Sequence, residues 1–507
     1  MHEDGNIKVN KWVFFPTILF LLVTVSYSLF DNEAFLTLMN AINDWILSRF
    51  GWLFTWSAFS FLIILVIVYF SPIGKVKIGG DEAVPLVNKW KWFAIALCTT
   101  IATGILFWGC AEPLYHLHTP PLGLDVEKNS ANAATFSMST MFLHWSFTPY
   151  AIYTVSGLSF ALSYYNHKRP FRISTLLYPL FGKMEKEGGR AVLDILCLYA
   201  LVAGMAASLG AGIFALMGGL EIIFGVSKSN FMIGLISFAV VGTFITSAVS
   251  GLKKGIAMLS KWNAIAFFIL AFLVFILGDT SYILKIGASG AMDYIQHFLS
   301  RSTNIGSSLD TKWLNSWTVF YFANWFAWAP IASLFLGRLS VGYSVRDFIH
   351  FNLLFPALFS CLWMAIFSGS AIAFDFANDG ALYQVLQNEG LENVLYTILQ
   401  SLRFGTIISV LALVMIFASY VTAADSTVSA MSAMSSLGVS PDNPEAPIWI
   451  KIVWGSIIGV IAAVMISSAG IDGIRLLCVL GGFPALFIIL MVGIGLLKLV
   501  FKGGTKP

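Results

Sequence analysis

The sequence predicts an all-α polytopic membrane protein with about twelve transmembrane helices. Three observations carry that reading: composition, the length of the apolar runs, and the alternation of charge between them. Hydrophobic residues make up 58% of the 507 positions and charged residues only 11%, with a mean hydropathy of +0.82. A soluble domain has about 25% charged residues, and a water-soluble fold of this size could not hide so much apolar surface. The runs from Trp12 to Phe30, Phe50 to Phe70 and Trp454 to Ile466 are almost free of charge. A helix needs about 20 apolar residues to cross the hydrocarbon core.

The spans read as 12–30, 50–71, 90–116, 139–165, 191–222, 229–250, 260–283, 313–338, 346–373, 399–432, 448–468 and 475–500. Basic residues collect in alternate loops. Lys75, Lys77, Lys89 and Lys91 lie between spans two and three, and Lys168, Arg169, Arg172, Lys183, Lys186 and Arg190 between four and five. Lys253, Lys254 and Lys261 lie between six and seven, and Arg338 and Arg346 between eight and nine. The other loops carry Asp31, Glu33, Asp44, Asp125, Glu127, Asp375, Asp379, Glu389 and Glu392. The positive-inside rule puts the basic loops and both termini in the cytoplasm, which demands an even number of spans. The location expected is therefore the cell membrane.

The stretch from about Tyr282 to Ser300 is shorter and more mixed, and reads as an amphipathic helix along the outer surface. No soluble domain is expected. The net charge of +3 does not indicate a nucleic-acid partner, because the basic residues sit between apolar segments. The five cysteines all fall inside apolar stretches and are expected as packed thiols. No cleavable signal peptide is expected, because the first run is long and lacks a small-residue cleavage motif.

Four polar or aromatic stretches inside spans need explaining, since lipid cannot satisfy exposed polar groups. In span three, Cys98 to Tyr115 holds three threonines including Thr103, two glycines, and the pair Glu112 and Pro113. It suits either an unwound binding segment or close packing at small residues. In span eight, Trp325 and Trp328 are three apart and share a helix face. Aromatic faces there suit a quaternary ammonium ion, through contacts of about 0.5–2 kcal/mol each; bulky packing is the equal alternative. In span four, Trp145, Tyr150 and Tyr153 offer further aromatic walls, and His144 reads as a hydrogen-bonded packing residue. In span ten, Asp425 must be paired, hydrogen-bonded or functional. Spans three and eight are five apart and both interrupted in sequence, so spans three to seven and eight to twelve are expected as two inverted repeats.

Together these stretches resemble the betaine/carnitine/choline transporter family. The most specific match runs from Trp317 to Pro330 and on through Phe335 to Phe348, similar to that family's tryptophan-rich signature and its following arginine-rich loop. Ala207 to Gly210, Ser250 to Gly255 and Thr422 to Ser426 add support. The resemblance implies a LeuT-like five-plus-five inverted repeat preceded by two extra helices. The chain then divides into the extra helices (1–89), the first repeat (90–284), the surface helix (285–311) and the second repeat (312–501). It also implies a cage of Trp145, Tyr150, Tyr153, Trp325 and Trp328, with Tyr115 a weaker candidate, for a small zwitterionic or cationic solute such as glycine betaine, carnitine or choline. Trimeric assembly is implied on the same ground.

The chain departs from the family pattern in instructive places. Tyr150 and Asn324 stand where the family usually has tryptophan, which suggests a smaller, more polar or less methylated ligand. Sodium-coupled members commonly have a second hydroxyl beside Thr422, where this chain has Ala423. Sodium needs about five or six oxygens, so its site is weakened. Hydroxyls expected near Leu201 and Met205 are also replaced. Carnitine exchangers carry an arginine where this chain aligns Asn263. Neither coupling pattern is complete, and the balance leans toward sodium-independent transport. No cofactor is expected beyond sodium, which stays possible; sodium symport, proton coupling and exchange all stay open. A channel filter and a zinc-protease motif are both absent from the sequence, so an enzyme is not expected. A sensor that binds such solutes without flux is the alternative.

Overall fold

The computed structural model describes residues 7–100, 104–182, 187–250, 253–304, 309–438 and 446–502. Among these, eight helices are long and apolar enough to cross a membrane unaided. The helix Ile448–Lys502 is one of them, but at about 1.5 Å per residue it is far longer than a bilayer is thick. It breaks at Gly470 (φ 56, ψ −131), a conformation a Cβ would oppose, and so supplies two crossings. Three further spans are the helix Lys253–Leu277, the helices Ala131–Trp145 and Phe147–Ala161 taken together, and Lys89–Thr100 with Gly104–His118, between which residues 101–103 lie outside the described residues. The expected twelve follow.

Lys11–Phe30 and Asn32–Phe70 form spans one and two. Span two begins well before the expected residue 50 because its first half, with Glu33, Asp44 and Arg49, is helical without being apolar. Asp31 starts it, its side chain accepting from the Ala34 amide at 3.0 Å. Span five is Glu187–Phe224, span six Asn230–Ser250 and span seven Lys253–Leu277. Directly after span seven the chain turns by 108° into Thr280–Thr303. That helix is anchored by the buried Arg301, whose guanidinium donates to Ser139 of span four and to Asp293. Leu284, Met292, Ile295 and Leu299 stay exposed on its other side, the two-faced surface helix expected of its composition.

Span eight runs from Thr311 to Leu339 without the expected interruption, widened by one π-helical turn over Asn315–Val319. Such turns cluster at functional sites. Span nine is Val345–Ala377 and span ten Gly405–Met434. Span ten was expected to begin at 399. Instead Leu391–Ser401 is a separate helix, because Phe404 adopts a left-handed φ of 66° that ends one helix and starts the next.

Loops two–three, four–five, eight–nine and ten–eleven gather on one face. Lys8 and Val9 pair with Leu437 and Ser436, Asn166 accepts from the Gly79 amide at 3.0 Å, and Lys77 bridges to Ser344. Neighbouring spans are held close by small residues. Gly482 of span twelve lies so near span eight that a Cβ there would sit 2.2 Å from the Ala323 carbonyl oxygen. Gly482→Val should therefore push the two spans apart, costing about 1–3 kcal/mol, and lower the melting temperature of the detergent-solubilised protein. Gly234→Ala, at a position with nothing within 4 Å, should leave it unchanged. Equal melting temperatures for the two variants would contradict this packing.

Candidate functional site

The site begins with a break in span four that the sequence placed inside a continuous helix. Pro149 has no N–H to offer the Trp145 carbonyl, which weakens the helix at this turn. Ala131–Trp145 ends, Ser146 takes φ −118 and ψ −118, and Phe147–Ala161 starts afresh. The Ser146 hydroxyl turns back to the Phe142 carbonyl at 2.5 Å. This break presents His144 and Trp145 to span three.

There they meet Glu112, which is completely buried. Its Oε1 lies 2.6 Å from His144 Nδ1 and 3.1 Å from His116 Nε2, one turn further along span three. Its Oε2 accepts the Trp145 indole N–H at 2.8 Å. His144 Nε2 continues to Thr318 Oγ1 at 2.9 Å, reaching the π-helical turn of span eight. One carboxylate thus joins three spans. The ligand atoms of Glu112, His116 and His144 lie within 4.8 Å of one another. Both imidazoles, however, approach the same oxygen at hydrogen-bond distance, so a proton lies along each contact and the set reads as a hydrogen-bonded cluster.

On the far side of Trp145 lies the aromatic cage. Trp325 is its hub, with ring centroids 4.9 Å from Tyr153, 5.4 Å from Tyr150 and 6.1 Å from Trp145. All four rings are buried, and the other three each pack on Trp325. Gly104 faces the Trp145 ring tip, where a Cβ would be 3.6 Å away. The Tyr150 hydroxyl accepts from Ser360 of span nine at 3.4 Å. The Trp325 indole N–H is buried without an acceptor, as is the Tyr321 hydroxyl beside it.

The other expected residues lie around this core. Trp328 is half-buried against Gly204 of span five, 3.4 Å from where a Cβ would sit, and makes no ring–ring contact among the described residues. Asn324 turns its carbonyl oxygen to the Cys478 thiol of span twelve at 3.3 Å, away from the ring hub. Tyr115 stacks at a tilt on Trp317, centroids 5.0 Å apart. This belongs to a second aromatic group around Arg475, whose guanidinium lies 4.8 Å from Trp317, 5.7 Å from Phe320 and 6.0 Å from Trp108.

The coupling candidates form two separate ties. Asn263 donates to Ser419 at 2.6 Å, leaving its Oδ1 buried and without a partner. Asp425 accepts from Ser247 of span six at 2.5 Å. The Thr422 hydroxyl donates to its own helix, 2.8 Å from the Ala418 carbonyl. Ala423 offers no side-chain oxygen beside them, and Thr103 lies outside the described residues. Sequence reasoning passed over Glu112, His116, Thr318 and Tyr321 as functional groups. The available signal was an intramembrane glutamate with histidine four residues on, a spacing that puts both on one helix face.

The sequence matches known transporters. The chain matches the description "BCCT, betaine/carnitine/choline family transporter" over residues 12–503. It is 30% identical over 500 residues to an ectoine/hydroxyectoine transporter of Virgibacillus pantothenticus, covering 98% of each chain. It is 28% identical to a glycine betaine transporter of Acinetobacter baylyi, over 98% of this chain and 74% of that one. It is 29% identical to a high-affinity choline transport protein of Escherichia coli, over 98% of this chain and 73% of that one. The chain therefore belongs to the betaine/carnitine/choline transporter family, and is a multi-pass membrane transporter rather than an enzyme.

Proposed function

We propose that this protein carries a betaine-, carnitine- or choline-type solute across the cell membrane by alternating access. Both termini face the cytoplasm, no cofactor takes part, and sodium is not required. The observation that carries the reading is the Trp325 indole. Its ring is enclosed by aromatic faces suited to an ammonium group, while its N–H is a buried donor with no acceptor. A zwitterion brings a cation for the aromatic walls and a carboxylate for the N–H. Trp92, Trp313 and Trp363 also have buried indole N–H groups without an acceptor among the described residues; what sets Trp325 apart is its place at the centre of the three cage rings. The absence of a sodium requirement rests on Ala423, on the internal hydrogen bond of Thr422 and on the use of Asp425 by Ser247. These leave few free oxygens for a hard cation.

A less methylated cargo is the second reading. Tyr150 puts a polar phenol in the wall where the family usually has tryptophan, and one relative is an ectoine/hydroxyectoine transporter. Ectoine has no trimethylammonium group.

In liposomes, uptake of labelled glycine betaine, carnitine and choline should proceed without a sodium gradient and be accelerated by internal substrate. Strict dependence on sodium would overturn the sodium-independent reading. Trp325→Leu should weaken binding of the transported solute by roughly 2- to 30-fold, the range corresponding to about 0.5–2 kcal/mol of lost cation–π contact. Equal affinity would remove Trp325 from the cage. In a competition assay, ectoine displacing labelled betaine at similar concentration would favour the less methylated cargo; displacement by trimethylammonium compounds alone would exclude it.

A further inference from the structure

We infer that Glu112, His116 and His144 form a proton-binding site, and that the cage's cargo and this proton compete to neutralise the same carboxylate. The inference rests on the reading of Trp325 and Trp145 as a cage for a cationic group, and deepens it by naming the ion exchanged.

Counting protons leads to the site. The two short contacts to Glu112 Oε1 take one proton each. Two neutral imidazoles and an ionised carboxylate supply those two protons, and the cluster then carries one negative charge. In that state His144 Nε2 accepts from the Thr318 hydroxyl. His116 Nδ1 is left as a lone pair, fully buried and without a partner. It is the open position for a third proton, which makes the cluster neutral. An uncompensated charge in a dry interior is costly, and this cost is the drive for the cluster to take up that proton when no cation occupies the cage.

The groups facing the cluster do not replace it. Tyr321 of span eight and Cys478 of span twelve are neutral. Tyr115 is neutral and engaged with Trp317. Arg475 of span twelve is a fixed cation whose field reaches His116, but it sits among Trp317, Phe320 and Trp108 and pairs with Asp472 at 3.6 Å. Arg301 of the surface helix lies over the Phe136 ring and is bound to Asp293 and Ser139. No Lys or Arg forms an ion pair with Glu112 among the described residues.

The cargo supplies a cation from the opposite side. A single indole separates the two sites: one edge of Trp145 donates to Glu112 Oε2, while its ring packs against Trp325. An ammonium group in the cage and a proton on the cluster repel each other across that ring, so binding one expels the other. By linkage the effect is reciprocal. The return of the empty carrier then takes a proton in the opposite direction to the cargo. A zwitterion, whose own carboxylate offsets part of its charge, displaces less proton than choline does.

The test uses the purified full-length protein with EDTA present throughout. Infrared difference spectra between pH 5 and 9, without substrate, should show a titrating carboxylate–imidazole signal that is lost in Glu112→Gln and in His116→Asn. In weakly buffered solution, choline should release protons and glycine betaine fewer. Choline affinity, followed by tryptophan fluorescence, should rise by about 5-fold or more from pH 6 to pH 8.5, and be flat in both variants. Should Glu112→Gln not fold, His116→Asn decides alone, since it removes the open nitrogen without touching the bond to Trp145. No titrating signal, proton uptake on binding, or unchanged pH dependence in the folded variants would overturn the inference. A titrating cluster in a protein that binds none of the three solutes would support the proton site and sink the cargo assignment instead.

Discussion

The arrangement around the site depends on one carboxylate. Glu112 is fully buried, and an ion so placed costs several kcal/mol unless its oxygens are satisfied. Three donors satisfy it, from His116 on its own span and from His144 and Trp145 on span four. The two donors on span four are presented by its break at Ser146, where Pro149 has no N–H for the Trp145 carbonyl. His144 then carries the connection to Thr318 in the π-helical turn of span eight. The polar constraint thus fixes how the first spans of the two repeats approach one another, and it orients the indole that forms one wall of the cage.

Much of the architecture was legible in the sequence because the bilayer is an exacting solvent. Backbone polar groups must be satisfied within each crossing, so runs such as Trp12 to Phe30 announce themselves. The amphipathic stretch after span seven was equally visible, since its polar face is incompatible with crossing. Hydropathy failed where helicity and hydrophobicity part company. The first half of Asn32–Phe70 is helical but charged, and Leu391–Ser401 reads as part of span ten until Phe404 turns left-handed.

The site was legible as residue types and not as geometry. Trp145, Tyr150, Tyr153 and Trp325 were expected together, and the structure brings their rings into contact. Asn324 was expected as a polar replacement in the wall; its side chain instead packs toward Cys478, because the helical rotation between neighbouring residues directs 324 and 325 to different spans. The cluster on Glu112 escaped because its members sit in two separate stretches, and His144 taken alone is an ordinary packing residue. Only a fold that brings residues 112 and 144 together gives the pair a chemical meaning.

The direct ring-on-ring packing at Trp325 bears on how the membrane stays sealed. A carrier is a standing risk to the membrane potential, since a charge crossing along a wet path dissipates about 2.3 kcal/mol for every 100 mV. Three aromatic side chains gathered on a fourth fill that level with buried ring surface. Ring surface of this kind offers water few hydrogen-bond partners, so the packing opposes a wet path along which a gradient could be shunted.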